Sequence, residues 1–185
     1  MLIGILALQG GYERHERSLK NINIKTKRVK LPEDFTGIDG LILPGGESTT
    51  MIKLIHSYKL FDVISDFAKT KPCMGTCAGS ILMGSSATDF NFETFKLIDV
   101  KVDRNAYGTQ VDSFIDTFRF NNKTVESMFI RAPKFIEVSD KVEILSIHNG
   151  IPVVVRNESH LMMTCHPELT TELEIHRYFI NEFCK

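Results

Sequence analysis

Cys77 lies in a motif whose residue types suit nucleophilic catalysis. The pentapeptide Gly75-Thr76-Cys77-Ala78-Gly79 has the form Gly-x-nucleophile-x-Gly, which is typical of a sharp turn from a strand into a helix. Its glycines permit the tight turn because they carry no Cβ atom, and a helix N-terminus favours a thiolate over a thiol. The pentapeptide alone leaves two interpretations open: Cys77 is a nucleophile, or it is a small buried residue in a glycine-rich turn.

A second motif, Cys165-His166-Pro167-Glu168, contains the groups that a cysteine nucleophile requires. Such a nucleophile needs an imidazole base, and the imidazole needs a third group that fixes its tautomer and stabilises the imidazolium. His166 can be the base, and Glu168 can point to the same side if the chain stays extended through Pro167. Alone, the triplet is more typical of a loop with a solvated carboxylate, but together with the Cys77 motif it indicates a Cys-His-Glu triad.

A third turn, Pro44-Gly45-Gly46-Glu47-Ser48-Thr49-Thr50, follows an apolar run. Its glycines can turn backbone N–H groups toward an oxyanion, so Gly46 and Ala78 are the predicted oxyanion hole. The turn lacks the lysine and the spacing of a phosphate-binding loop, and no G-x-G-x-x-G follows the first strand, which argues against nucleotide binding. The alternative is a plain glycine turn before a helix that Ser48 or Thr49 caps.

A metal site is a further alternative, because Cys73, Cys77, Cys165 and His166 could form a Cys3His set. The spacing contains no Cys-x2-Cys and no His-x3-His, so we expect neither a metal nor another cofactor. The other histidines are expected to be surface or packing residues: His15, His56, His148, His160 and His176.

The composition narrows the classes of protein and of partner. Lys and Arg number 22 and Asp and Glu 23, so the formal charge of −1 predicts neither a nucleic acid nor a membrane surface as partner. Apolar residues at 43% and charged residues at 24% are typical of a globular domain and exclude disordered and coiled-coil classes. No apolar run approaches the roughly 20 residues of a membrane helix, and no secretory signal is recognisable, so we expect a cytoplasmic protein with reduced thiols.

The elements that must position these motifs alternate between strand and helix in the first half of the chain. Apolar runs predict strands at 2–8, 24–29, 38–43 and 73–76, and amphipathic stretches predict helices at 12–20, near 51–55, at 60–69 and from Ala78. In the second half, strand patterns occupy 95–102, 112–120, 127–131, 135–147, 151–155 and 161–164, before a helix at 170–183. The dipeptide Asn149-Gly150 and the run Asn121-Asn122-Lys123 predict turns.

This order predicts one three-layer α/β domain over residues 1–185 with a mixed, mostly parallel central sheet. In such sheets ligands bind at the carboxyl ends of the strands, where all three motifs lie.

In this order the three motifs resemble those of the class I (triad) glutamine amidotransferases. Within that class, Arg104-Asn105-Ala106-Tyr107-Gly108 and Phe129-Ile130-Arg131-Ala132-Pro133 resemble the PdxT family, the glutaminase subunits of pyridoxal 5′-phosphate synthase. The resemblance implies a flavodoxin-like amidotransferase fold and runs through most of the chain. Other similar segments are Leu6-Ala7-Leu8-Gln9-Gly10, residues 39–50, Gln110-Val111-Asp112-Ser113-Phe114 and His166-Pro167-Glu168-Leu169.

The resemblance implies hydrolysis of L-glutamine to L-glutamate and ammonia. Cys77 would be the nucleophile, His166 the general acid and base, and Glu168 its orienting partner. Arg104 and Arg131 are candidates to bind the α-carboxylate, since guanidinium groups pair with carboxylates bidentately. The implied glutamine-binding positions are Gly46, Glu47, Ser48, Arg104, Ile130 and Arg131.

The implied partner is a PdxS-type synthase subunit, a β/α-barrel that uses the ammonia, and Gln9-Gly10 is a candidate contact region.

Three alternatives stay open: a glutaminase that serves another synthase, such as that of histidine biosynthesis, a non-catalytic regulatory subunit with the same fold, and a cysteine-elbow protein of the DJ-1 type. Some positions depart from the family pattern, with Arg14-His15 where Glu-His is usual, Thr109 where Arg is frequent and Cys165 where an aromatic residue is usual.

Overall fold

A seven-stranded sheet forms the centre of the protein in the computed structural model, which describes residues 1–106 and 113–185. The strands are β1 (Leu2–Leu6), β2 (Lys25–Val29), β3 (Gly40–Leu43), β4 (Cys73–Thr76), β5 (Gly84–Ala87), β6 (Ile98–Asp103), β7 (Phe114–Phe120), β8 (Lys123–Phe129), β9 (Lys134–Val138), β10 (Glu143–His148), β11 (Ile151–Arg156) and β12 (His160–Met163). The α-helices are α1 (Tyr12–Asn21), α2 (Ser48–Ser57), α3 (Phe61–Ala68), α4 (Ala78–Met83) and α5 (Glu174–Phe183), and short 3-10 helices span Pro32–Phe35 and Pro167–Leu169.

The strand order of the central sheet is β10-β11-β12-β4-β3-β1-β2. Strands β2, β1, β3, β4 and β12 are parallel, and β11 and β10 add an antiparallel edge. The predicted mixed, mostly parallel sheet is therefore confirmed. Two smaller sheets, β5-β6-β9 and β7-β8, accompany it.

The central strands are mostly apolar because helices cover both faces of the sheet. In β3, Leu41 and Leu43 pack into a cluster with α2, α3 and α4, whereas Ile42 packs with α1 and α5 on the opposite face. Alternate side chains of a strand point to opposite faces, so a strand buried on both sides is apolar at most positions; Thr76 of β4 and His160 of β12 are buried polar exceptions. This arrangement gives the three layers that the sequence predicts.

The structure corrects several predicted boundaries. Residues 135–147 form two strands and not one. The chain turns between Ser139 and Val142, where Val142 N–H donates to Ser139 O at 3.0 Å, and β9 and β10 therefore join different sheets. Strand β5 was not predicted, since its sequence Gly-Ser-Ser-Ala has no apolar pattern. Asn121 and Asn122 have φ of 47° and 62°, as a tight turn requires, so that predicted turn is confirmed.

The cap of α2 also differs from the prediction. The Glu47 side chain, and not Ser48 or Thr49, accepts a hydrogen bond from Thr50 N at 3.4 Å. Ser48 is the first helical residue and is buried. The carboxylate of Glu47 is thus oriented at the N-terminus of α2.

The helices of the described ranges are all too short or too polar to cross a bilayer. The segment Tyr107–Asp112 includes part of the resemblance quoted above and lies outside the described residues.

Candidate active site

The three sequence motifs meet at the carboxyl ends of neighbouring strands. Strand β3 leads into Gly45 and Gly46, β4 leads into Cys77, and β12 leads toward His166. Because β3, β4 and β12 are adjacent and parallel, these turns lie at one edge of the sheet. The topology therefore brings together residues that are up to about 120 positions apart in the chain.

Cys77 occupies a strained turn between β4 and α4. Its backbone has φ 46° and ψ −103°, a conformation that costs a non-glycine residue about 1–3 kcal/mol and is held by the surrounding structure. Cys77 N–H donates to Met163 O at 2.9 Å, which ties the turn to β12. A Cβ atom on Gly79 would lie 2.0 Å from Leu43 O, so only glycine permits this approach of α4 to β3. The predicted sharp strand-to-helix turn is present.

His166 and Glu168 form a buried hydrogen-bonded pair. His166 Nδ1 lies 2.8 Å from Glu168 Oε1, and the imidazole lines the same pocket as the Cys77 side chain, which interacts with it. The expectation of an extended chain through Pro167 is wrong: Pro167–Leu169 forms a 3-10 turn. That turn brings the carboxylate back to the ring two residues before it, so the pairing is achieved by a different conformation.

The charges of this cluster support one another. Burial alone lowers the pKa of His166, but hydrogen bonds to Cys77 and Glu168 and the charges of both groups raise it to about 10. Burial likewise raises the pKa of Glu168, but His15 and His166 together lower it to about 2. At neutral pH an imidazolium therefore stands between the Cys77 sulfur and a carboxylate, which is the arrangement of a cysteine hydrolase.

An open pocket leads to Cys77 and His166. Each of the six residues predicted to bind glutamine lines it, together with Ile81 and Asn105, which sequence reasoning missed. The lining comprises Gly46, Glu47, Ser48, Cys77, Ile81, Arg104, Asn105, Ile130, Arg131 and His166.

Opposite charges line the pocket wall. Arg104 Nη2 donates to Glu47 Oε1 at 2.9 Å and Arg104 Nη1 to Asp89 O at 3.2 Å, so its guanidinium is held in place. Arg131 is exposed and, among residues 1–106 and 113–185, pairs with no carboxylate. Within the described residues, the pocket thus offers to a small zwitterion the paired cation of Arg104, the cation of Arg131 and the carboxylate of Glu47.

The comparisons with known proteins agree with this geometry. The model of the SNO glutamine amidotransferase family matches residues 5–185. The chain belongs to this family. It is 45% identical over 178 residues to "Pyridoxal 5′-phosphate synthase subunit PdxT" of Francisella tularensis subsp. tularensis strain WY96-3418, covering 96% of this chain and 97% of that protein. The protein of the same name from subsp. novicida strain U112 is equally similar at 45% identity, with the same coverage of both chains.

Solved structures share the amidotransferase fold. A crystal structure of a glutamine amidotransferase superposes with a TM-score of 0.92 at 36% identity and covers 97% of each chain. PurLQS from Thermotoga maritima superposes with a TM-score of 0.69 at 16% identity, over 94% of this chain and 91% of that one, which shows a shared fold alone.

The first strand of this amidotransferase supports the glycine turn. Gln9 Oε1 accepts from Glu47 N at 3.3 Å and Gln9 Nε2 donates to Glu47 O at 3.1 Å, so one side chain binds both the backbone N–H and the backbone carbonyl of Glu47. Gly11 N–H donates to Gly45 O at 3.0 Å. The predicted position of Gln9-Gly10 beside the Gly46 turn is therefore observed. Gly46 lines the pocket, whereas Ala78 is the first residue of α4, directly after Cys77, and their oxyanion role stays a prediction.

The remaining thiols are buried. Burial raises the pKa of Cys165 to about 12, with smaller opposing hydrogen bonds, and burial is also the main cause that raises the pKa of Cys184 to about 12. The pKa of Cys73 is raised further still by burial. The alternative Cys3His set is not assembled, since no group of three or more potential ligands in the described ranges could hold a metal ion.

Replacing Gly45 by Ala is expected to displace the imidazole and to lower the turnover of the amidotransferase by about tenfold or more, since a misplacement of 1 Å can cost a hundredfold. The new Cβ atom would lie 2.2 Å from His166 Cε1. Steady-state glutaminase kinetics measure the effect. Gly37→Ala is the control for a general loss of stability, because its φ of 79° strains an alanine although a Cβ atom there meets nothing within 4 Å. Equal activity of both variants would contradict this placement of His166.

Proposed function

We propose that Cys77, His166 and Glu168 are the catalytic triad of a glutaminase that supplies ammonia for pyridoxal 5′-phosphate synthesis. The observation that carries this proposal is the hydrogen-bonded pair of His166 and Glu168 beside Cys77, in a pocket lined by charged groups. Membership in the glutamine amidotransferase family and 45% identity to PdxT proteins support glutamine as the substrate and pyridoxal 5′-phosphate synthase as the enzyme served.

The chemistry follows from the triad. The Cys77 thiolate attacks the amide carbon of glutamine, and the resulting oxyanion is stabilised by the backbone N–H groups of Gly46 and Ala78. His166 donates its proton to the leaving nitrogen, so ammonia departs and a glutamyl thioester forms. His166 then removes a proton from water, which attacks the thioester and releases glutamate. Glu168 stabilises the imidazolium in both steps.

The pocket charges suggest how the α-substituents of glutamine bind. Arg131, which pairs with no carboxylate of residues 1–106 and 113–185, suits the α-carboxylate, and Glu47 suits the α-ammonium group. Arg104 donates to Glu47 and so fixes the carboxylate that would meet the ammonium group, besides contributing positive charge. Ile130 and Ile81 line the pocket with apolar surface for the substrate's methylene groups.

Arg131→Ala is expected to raise the KM for glutamine by about tenfold or more, because a hydrogen bond to a charged group contributes roughly 1.5–3 kcal/mol. The turnover number should change much less, since Arg131 lies away from the reacting amide. Initial rates over a range of glutamine concentrations give both constants. Arg119→Ala is the matched control, because Arg119 is an exposed arginine of β7 whose guanidinium donates to Asn122 O and does not line the pocket. A KM equal to that of the control would remove Arg131 from the binding site.

The ammonia is consumed by a separate subunit in this proposal. The similar proteins are named as subunits of a synthase, which supports a PdxS-type synthase subunit as the partner of this chain. The partner would use the ammonia where it forms, and both subunits would work in the cytoplasm. The segment around Gln9 supports this arrangement, because a partner that contacts it would act on the Gly46 turn through Glu47.

The experiment that tests the proposal measures ammonia release from glutamine with and without a purified PdxS-type synthase subunit. We expect partner-stimulated release, and formation of pyridoxal 5′-phosphate when pentose and triose phosphates are added. Release without any product would favour a glutaminase that serves another synthase. A complete lack of glutaminase activity in the complex would favour the non-catalytic regulatory subunit and contradict the proposal.

A further inference from the structure

Two buried histidines lie behind Glu168 and have no part in the mechanism described so far. His15 of α1 and His176 of α5 are both 0% exposed, and His15 Nδ1 lies 3.0 Å from His176 Nε2. His15 Nε2 lies 3.2 Å from Thr76 Oγ1 and 3.5 Å from Glu168 Oε2. The pair therefore adjoins the carboxylate oxygen of Glu168 that does not pair with His166.

Two atoms determine where the protons of this pair reside. Glu168 Oε2 and His176 Nδ1 are buried and, within the part of the chain that the structure describes, complete no hydrogen bond, although His15 Nε2 lies 3.5 Å from Oε2. With a proton on His15 Nδ1, the neutral His176 would carry its own proton on Nδ1, where the buried N–H would have no acceptor. The bare Nε2 of His15 would then face the Glu168 carboxylate. Both consequences are costly, and buried N–H groups without acceptors are rare.

Protons on Nε2 of both rings avoid these costs. His176 Nε2–H then donates to His15 Nδ1, and His15 Nε2–H points toward Thr76 Oγ1 and Glu168 Oε2. Only the lone pair of His176 Nδ1 is left unpaired, and an unpaired acceptor occurs more readily in a protein interior than an unpaired donor.

Both rings are neutral at physiological pH. Burial lowers the pKa of His15; the charge of Glu168 opposes this and that of His166 adds to it, so the net shift is downward. Burial, with a smaller effect of His15, lowers the pKa of His176 to about 3. His15 therefore stabilises the Glu168 carboxylate by the dipole of an N–H group and not by a full positive charge.

We propose that His15 is a positioning residue of the triad, which donates from Nε2 to Glu168 Oε2 and is itself oriented by His176. The inference rests on the proposed function, because His15 acts through Glu168 and His166. A carboxylate that is held on both oxygens stays aimed at the imidazole, as partners of catalytic and metal-binding histidines commonly require. The 3.5 Å separation is long for a hydrogen bond, and catalytic hydrogen bonds that are long in a ligand-free enzyme often tighten in the substrate complex.

The tautomers give a direct test that does not depend on activity. In the ¹⁵N NMR spectrum of the wild-type chain labelled at histidine, we expect His15 and His176 both to carry their proton on Nε2 at pH 7. Single replacements by glutamine assign the two signals. A proton on His15 Nδ1 would overturn the inference.

A pair of variants separates positioning from packing. The amide of Gln reaches the position of Nε2, so His15→Gln keeps a donor near Glu168, whereas the shorter His15→Asn loses it. We expect His15→Asn to lower the glutaminase kcat by about tenfold to a hundredfold with little change in KM, and to move the alkaline limb of the rate profile to lower pH. His15→Gln should restore most of the rate.

His160→Gln is the matched control, since His160 is also buried but has a different contact. Its Nδ1 accepts a hydrogen bond from Cys73 N at the amino-terminal ends of β12 and β4, whereas the site lies at their carboxyl ends. Equal rates and equal pH profiles for His15→Asn and His15→Gln would contradict the inference. Assays use the complex with a PdxS-type subunit. A wild-type complex without glutaminase activity would contradict the proposed function, whereas the NMR tautomers decide the present inference in either case.

Discussion

Replacing Cys77 by Ala is expected to reduce glutaminase kcat by at least about a thousandfold, since removal of a nucleophile leaves only binding and the oxyanion hole. In the proposed mechanism the Cys77 thiolate forms the covalent bond to the substrate, and the neighbouring thiol is a poor substitute because burial keeps the pKa of Cys165 high, at about 12. Ammonia release by the complex measures the effect, and mass spectrometry of the wild type with a glutamine-derived electrophile should locate the adduct on Cys77.

The control for this variant is Cys73→Ala. Cys73 begins β4, the strand that ends directly before Cys77, and it is fully buried in the core cluster that includes Leu41 and Met162, so its replacement tests the loss of a buried thiol without loss of the nucleophile. We expect Cys73→Ala to retain activity at some cost in thermal stability. If Cys77→Ala also retained activity, the assigned nucleophile would be wrong even though the family is established.

The sequence predicts the parts of the site that depend on local chain geometry. The turn at Cys77 is specified by the glycines beside it, and the proximity of His166 and Glu168 is specified by their separation of two residues. Even here the conformation was predicted wrongly, because the pattern His-Pro-Glu does not distinguish an extended segment from the observed 3-10 turn. The pairing is the same in both cases, so the chemistry could be inferred without the correct backbone.

Contacts between elements that are distant in the chain could not be predicted from the sequence. His15 and His176 are 161 positions apart and meet only because α1 and α5 cover the same face of the sheet. Their signal is weak: a histidine in each of two amphipathic helices is as typical of packing or surface as of a role near a site. The split of residues 135–147 between two sheets has a similar origin, since a continuous apolar pattern does not indicate which partner strand each half will find.

The glutamine pocket was predicted by resemblance and not by pattern. Arg104 and Arg131 read as surface charges in the sequence, and their convergence on the pocket depends on the tertiary fold. Ile81 could not be predicted as a pocket residue for a related reason, because a single apolar residue of a helix gives no signal that distinguishes a pocket wall from the core. Charge and shape of a binding site are thus set by packing between elements, which the sequence alone does not specify.

Glu168→Gln is expected to lower kcat by about a hundredfold to ten-thousandfold, by analogy with loss of the acidic member of the Ser-His-Asp triad. The amide is similar in size but neutral, so it no longer stabilises the imidazolium. In the wild type, hydrogen bonds and charge from Cys77 and Glu168 outweigh burial and hold the pKa of His166 at about 10. When the carboxylate is removed, less opposes the effect of burial, so the pKa of His166 falls and its imidazolium loses the proton at lower pH.

An NMR titration of His166 in the isolated chain measures this shift without the partner subunit. The wild-type ring should stay protonated until about pH 10, and the ring of Glu168→Gln should lose its proton at distinctly lower pH. Glu126→Gln is the control, an exposed carboxylate of β8 whose backbone oxygen accepts from Thr170 Oγ1 just beyond the His-Pro-Glu turn. If the titration of His166 were the same in all three proteins, Glu168 would have no electrostatic hold on the imidazole, and a dyad of Cys77 and His166 would replace the triad.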